Sequence, residues 1–156
     1  MTGFRPGVRL GIDVGTARIG VARSDRDGLL AVPVETVPRG DGDLARIAAL
    51  ADEYDAFELV VGLPVALSGR ETASTADARG FAQSLADAGR QVRMIDERLS
   101  TVSAHSALRG SGRSQRTSRS IVDQVAAVVL LQQALDVEKS TGNPAGAPVA
   151  SSQELT

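Results

Sequence analysis

A change of hydrophobic period near residue 41 does most to restrict how this chain can fold. Before it, apolar residues alternate, with Val8, Leu10 and Ile12 on one face of a strand over 8–13. Gly15-Thr16 turns the chain into a second strand at 19–22, and a turn at 25–28 leads to a third at 30–37. Pro33 cannot donate to a ladder, so the third strand belongs at a sheet edge. These three form an antiparallel meander. After the change, Leu44, Ile47, Ala48 and Ala51 recur at helical spacing over 43–54, with Asp41 or Asp43 as the expected cap. A short buried strand at 59–61 ends in Gly62-Leu63-Pro64, a helix at 71–88 stops at Gly89, and a fifth strand covers 92–96. A helix at 100–109, capped by Ser100 or Thr101, stops at Gly110, and a polar loop at 110–116 follows. A long helix then runs from Thr117 or Ser118 to about Val137. The order β-β-β-α-β-α-β-α-α predicts an α/β fold: a mixed five-stranded sheet, meander plus β-α units, with helices on both faces. The 156 residues suit one domain, 1–138. The remainder, 139–156, is rich in small and polar residues, contains Pro144 and Pro148, and reads as a disordered tail.

Rare residues narrow the chemistry. Cysteine is absent, His105 is the sole histidine and Lys139 the sole lysine. Thiolate nucleophiles, zinc–thiolate sites, multi-histidine metal sites within one chain and a phosphate-loop lysine are thereby excluded. Carboxylates, hydroxyls and arginines must carry any reaction, which favours hard, oxygen-ligated metals. The longest uninterrupted apolar run, 125–131, has seven residues, too few to span a bilayer. The opening residues lack a signal-peptide core, so a soluble, cytoplasmic protein without a membrane partner is expected.

The net charge of −2 hides an asymmetry. Residues 40–87 hold nine acidic and three basic groups, whereas 88–122 hold seven arginines against Asp96 and Glu97. The basic block is a candidate polyanion surface, the alternative being a solvated helical face. The four aromatic residues, Phe4, Tyr54, Phe57 and Phe81, all lie outside it, so contact with nucleic acid should be to backbone and shape rather than to stacked bases.

Three acidic positions stand out. Asp13 ends the first strand, just before Gly15, where backbone can approach closely; it suits a metal or phosphate site, or is a turn aspartate bonding its own backbone. Asp96 and Glu97 end the fifth strand and alternate in direction, so at most one can join Asp13. Asp123 shares a helical stripe with Ala126, Ala127, Leu130 and Ala134 on a helix whose next turns are apolar all round. An acid on a buried stripe needs a cation or a donor. Exposure in the first turn, facing the helix dipole, is the alternative. His105, mid-helix among small polar residues, reads as a surface imidazole.

Four segments together resemble a known family. Residues 10–25 (Leu10-Gly11-Ile12-Asp13-Val14-Gly15-Thr16-Ala17-Arg18 onward), Val60-Val61-Gly62-Leu63-Pro64, Asp96-Glu97-Arg98-Leu99-Ser100-Thr101 and Val122-Asp123-Gln124-Val125-Ala126-Ala127 are similar to the signature blocks of the YqgF family. That family is related to RuvC-type Holliday junction resolvases and is associated with maturing the ends of small-subunit ribosomal RNA precursors. The resemblance implies a ribonuclease H-like fold and an acidic trio, Asp13, Glu97 and Asp123, holding divalent metal. It implies a nuclease using Mg²⁺ or Mn²⁺, as two ions, with Thr16, Arg18, Arg98, Arg113, Arg116 and Arg119 against substrate phosphates. The implied partners are structured RNA or branched DNA and ribosomal precursor particles, for a monomer or homodimer. Arg23 departs from the family, which has a small or apolar residue there.

Two rival readings differ in class. One is a non-catalytic, ribosome-associated RNA-binding factor, against which retention of all three acids argues. The other starts from Asp13-Val14-Gly15-Thr16, similar to the phosphate loop of sugar kinases and actin-like ATPases; those need two such domains, and no second loop follows.

Overall fold

The computed structural model describes residues 3–96 and 115–152, with side chains in the last helix described from residue 124 onward. The expected helix at 100–109 and His105 lie outside the described residues. The expected meander is present as β1 (Val8–Val14), β2 (Arg18–Ser24) and β3 (Ala31–Pro38), all antiparallel. Then come α1 (Asp43–Glu53), β4 (Ala56–Leu63), α2 (Ala73–Asp87), β5 (Val92–Asp96), α3 (Gln115–Thr141) and β6 (Ala147–Val149). The sheet order is β3-β2-β1-β4-β5-β6, with β1, β4 and β5 parallel. Pro33 does lie on an edge strand.

Several boundaries move for local reasons. The cap of α1 is Gly42, in the left-handed region at φ 92°, and not the side chain of Asp41 or Asp43. The Asp43 carboxylate instead accepts the Gly40 and Leu44 amides, at 3.1 and 2.7 Å. A reciprocal Thr72–Thr75 capping box starts α2 two residues later than expected. The tail expected from residue 139 begins as the last turn of α3, and residues 147–149 pair antiparallel with β5 as a sixth strand. Gly146, at φ 70°, lies so close to Met94 and Ile95 that no Cβ fits, which lets this proline-containing segment reach the sheet.

Strand alternation divides the core into two layers. Leu10, Ile12, Ile19, Val21, Leu59, Val61 and Met94 face Ile47 and Leu50 of α1 and Phe81 and Leu85 of α2. On the other face, Ala22, Val60 and Ile95 meet Ala127, Leu130, Leu131 and Leu135 of α3. Each fully buried large side chain contributes about 1.5–3 kcal/mol, so α3 is held mainly by its apolar stripe. Arg23, the departure noted above, lies with its guanidinium 5.0 Å from the Tyr54 ring.

At the start of the parallel strands a buried ionic cluster fixes the far end of α3. Glu138 accepts from Arg5 at 2.8 and 3.0 Å and from Arg9 at 3.0 Å. Arg5 also forks onto Glu58 at 3.0 and 2.9 Å, and Arg93 reaches Glu58 at 3.2 Å. Phe4 and Phe57 cover the Arg9 guanidinium, at 4.4 and 4.7 Å.

Candidate active site

The site is built at the other end of α3. In β1, Leu10, Ile12 and Val14 face α1 and α2, so Gly11 and Asp13 face α3. Gly11 is the point of closest approach: a Cβ there would lie 2.8 Å from both the Ala127 carbonyl oxygen and the Leu131 Cβ. From Gly11 to Asp13 the strand advances about 6.6 Å. From Ala127 back to position 123 the helix retreats about 6 Å. Arg9 meeting Glu138 fixes the sense, α3 running opposite to β1. Position 123 therefore lies at the level of Asp13 along the strands, one turn of α3 beyond Ala127.

A side-chain bond confirms the register. Asp13 pairs with Gly20, and Gly20 with Thr36. Gln124 Nε2 donates to Thr36 Oγ1 at 2.8 Å, so the turn of α3 containing residue 123 crosses the sheet on the row of Asp13. Two turns on, Gln132 Oε1 accepts the Ala31 amide at 2.9 Å.

Asp13 is half-buried one residue from the end of β1. Thr16 is exposed in the following turn, and Arg18, half-buried, begins β2. Arg116 and Arg119 lie in the first turns of α3; Glu97, Arg98 and Arg113 lie outside the described residues. Asp96 ends β5 on the face of Val92 and Met94, opposite to Asp13, and is exposed. The structure thus brings Asp13 and the helical turn of Asp123 to one level of one face, and turns Asp96 away. Among the described residues no three acidic or histidine groups cluster as a metal site.

Part of the basic block serves the fold. Arg90 pairs with Asp52 at 2.8 Å and Arg93 with Glu58 at 3.2 Å, which leaves five of the seven arginines as candidates for polyanion contact.

Arg39 went unnoticed in the sequence, because a single arginine after a strand carries no periodic or motif signal. It lies just past β3 and binds the turn after Asp13 twice, its amide donating to Ala17 O at 3.0 Å and its Nη1 to Gly15 O at 2.8 Å. Its fork grips Asp77 of α2 at 2.7 and 2.9 Å, with Asp43 3.5 Å away. The hydrogen bond from Arg39 holds the Asp77 carboxyl below its ordinary range, and Asp77 in turn raises the guanidinium. Gly15 closes the turn by donating to Arg18 O at 2.8 Å, where a Cβ would lie only 2.7 Å from that oxygen.

A mixed sheet with α3 on one face, α1 and α2 on the other, and an acid at the end of its central β1 is a ribonuclease H-like fold. Two solved structures share this fold. Thermus thermophilus RuvC in complex with a Holliday junction substrate matches with a TM-score of 0.56 at 18% identity, over 92% of this chain and 99% of that one. A second Thermus thermophilus RuvC structure gives a TM-score of 0.51, also at 18% identity, over 91% and 99% of the two chains. The family model described as RuvX, Holliday junction resolvase, matches residues 7–137, and the chain belongs to that family. Relatives named pre-16S rRNA nuclease include that of Clavibacter michiganensis, 62% identical over 150 residues covering 94% of this chain and 93% of the relative. That of Leifsonia xyli is 59% identical over 149 residues, covering 94% and 96%. By those names the relatives are hydrolases of phosphodiester bonds. This is the family that the four sequence segments resembled.

Proposed function

We propose that the chain is a divalent-metal-dependent nuclease that hydrolyses phosphodiester bonds in structured RNA, at the end of the small-subunit ribosomal RNA precursor. The observation that supports this most is the shared level of Asp13 and position 123 on one face of the sheet, because a metal nuclease needs carboxylates from separate elements converging on one point. Asp13, Glu97 and Asp123 are the proposed ligands. All three are hard oxygen donors, and Asp13 is half-buried at a strand end, which suits Mg²⁺ or Mn²⁺. When bound, such ions lower the pKa of a coordinated water and offset charge on the phosphoryl oxygens. Thr16, Arg18, Arg98, Arg113, Arg116 and Arg119 are the proposed contacts to the substrate backbone. Among the described residues no helix is long and apolar enough to cross a membrane.

The names of the close relatives favour the ribosomal RNA precursor; the RuvC neighbour in complex with a Holliday junction makes branched DNA the second substrate to test. Purified protein should be incubated with each substrate in Mg²⁺, in Mn²⁺ and in chelator. Metal-dependent trimming of the RNA end is the expected result. Cleavage confined to branched DNA would make the chain a resolvase. Binding with no cleavage under any metal would make it a non-catalytic RNA-binding factor.

A further inference from the structure

The turn after Asp13 is held from the side of α2 by Arg39. Arg39 donates from its side chain to Gly15 O at 2.8 Å and from its amide to Ala17 O at 3.0 Å, taking the carbonyls on either side of Thr16. Its guanidinium is in turn gripped by Asp77 of α2 and lies 5.4 Å from the Phe81 ring, which belongs to the α1/α2 layer of the core. Gly15 O is therefore drawn toward the α1/α2 face. Among the described residues no peptide bond is cis, and in a trans peptide the C=O and the following N–H point in opposite directions. The Thr16 N–H is thereby turned away from α2, toward the face that carries Asp13. The side chain of Thr16, exposed at the tip, adds a hydroxyl to the same turn.

We propose that Arg39 is a positioning residue: by locking the Gly15 carbonyl against α2, it presents the Thr16 amide and hydroxyl as donors to a phosphodiester oxygen of the substrate beside Asp13. This rests on the reading that nucleic acid binds at that end of β1. The arrangement has the chemistry of a backbone anion site, in which a peptide N–H fixed beforehand meets a phosphate without having to reorganise. Asp77 is part of the device, since its carboxylate sets the direction of the guanidinium and compensates its charge.

The test uses the full chain, with Ca²⁺ to hold the substrate uncleaved and a short RNA stem-loop as probe. Amide resonances of ¹⁵N-labelled protein are followed during titration, alongside binding isotherms and thermal melts. In wild type the Thr16 amide should shift on adding RNA. Arg39→Ala should weaken binding about tenfold and remove the Thr16 shift. Asp77→Asn should act in the same direction, about threefold, and keeps the test alive if Arg39→Ala fails to fold. A wild-type Thr16 amide that ignores RNA, or folded variants that bind as wild type does, would overturn the proposal. With the same RNA assayed separately in Mg²⁺ and Mn²⁺, absence of cleavage with the Thr16 response intact would sink the nuclease reading alone; cleavage without that response would sink only the role of Arg39.

Discussion

Gly11 and Ala127 meet with no room for a side chain between them: a Cβ on Gly11 would lie 2.8 Å from the Ala127 carbonyl oxygen. The obstacle is helix backbone, and the Leu131 Cβ closes the other side at the same distance, so neither neighbour can rotate away. Gly11→Ala should push α3 off the sheet and destabilise the protein by about 1–3 kcal/mol, the usual cost of overpacking. Because residue 123 lies one turn before Ala127, the displacement reaches the site as well. Urea denaturation of the variant should show a lowered midpoint, and nuclease assays a loss of activity at temperatures where it remains folded. Wild-type values in both would mean that the helix and strand are not held in this register.

Glu138 sits at the other end of the same helix, and its effect on stability depends on pH. Burial alone would push its carboxyl up, but hydrogen bonds from Arg5 and the charges of Arg9 and Arg5 overcome this and hold it at about 2, below the ordinary 4.5. A carboxyl depressed by folding stabilises fully above its unfolded pKa and loses that contribution as pH falls through the folded value. Glu138→Gln takes from the buried Arg9 guanidinium the carboxylate it is hydrogen-bonded to, leaving only Gly7 O and the more distant Glu58, which should cost about 3 kcal/mol at neutral pH. The gap between wild type and variant in urea denaturation should stay constant above about pH 4.5 and shrink as pH falls toward 2. A gap that does not vary with pH would show that Glu138 contributes only its shape.

How much of this was legible in the sequence follows from which interactions have a period. The meander and strand β5 come from alternation, which half-buried strands demand, and the edge position of β3 from the N–H that Pro33 lacks. Asp96 turns away from Asp13 for the same reason. Contacts between distant residues have no such signature. Arg39 gripping Asp77, and the Arg5–Glu58–Arg9–Glu138–Arg93 cluster, join charged residues up to 133 positions apart, which local pattern cannot pair. The strand at 147–149 escaped because Pro148 and small residues argue for a tail, whereas pairing to the end of an existing sheet needs only three residues and a glycine that fits beneath it. Asp123 was marked by its apolar stripe, and that stripe does pack on the sheet from Ala127 onward.

The proposed ligand Asp13 gives the most direct test of the chemistry. Asp13→Asn keeps the size and the backbone of β1 but removes the negative charge that would attract a divalent cation. The variant should melt within a few degrees of wild type while metal-dependent cleavage is lost, and raising Mn²⁺ should not restore it. Titrating Mg²⁺ or Mn²⁺ against activity, with a melt run in parallel, decides the matter. Wild-type cleavage by the variant would place the reaction elsewhere on the chain.

Arg113, Arg116 and Arg119 lead into the turn of α3 that carries Asp123, two of them within the helix itself. The proposed function assigns these three arginines to the substrate backbone where it passes the proposed metals. Interactions of this type carry no sequence information and act by releasing condensed counterions. Replacing all three with alanine should therefore weaken binding about equally for RNAs of different sequence. It should also flatten the dependence of log affinity on log salt, by about 0.7–0.9 for each phosphate that the protein no longer neutralises. The measurement is a salt titration of binding for wild type and the triple variant, with Ca²⁺ blocking cleavage. Equal slopes for the two proteins would mean that these arginines do not touch phosphate, and the basic stretch from 98 to 119 would be a solvated surface beside the site.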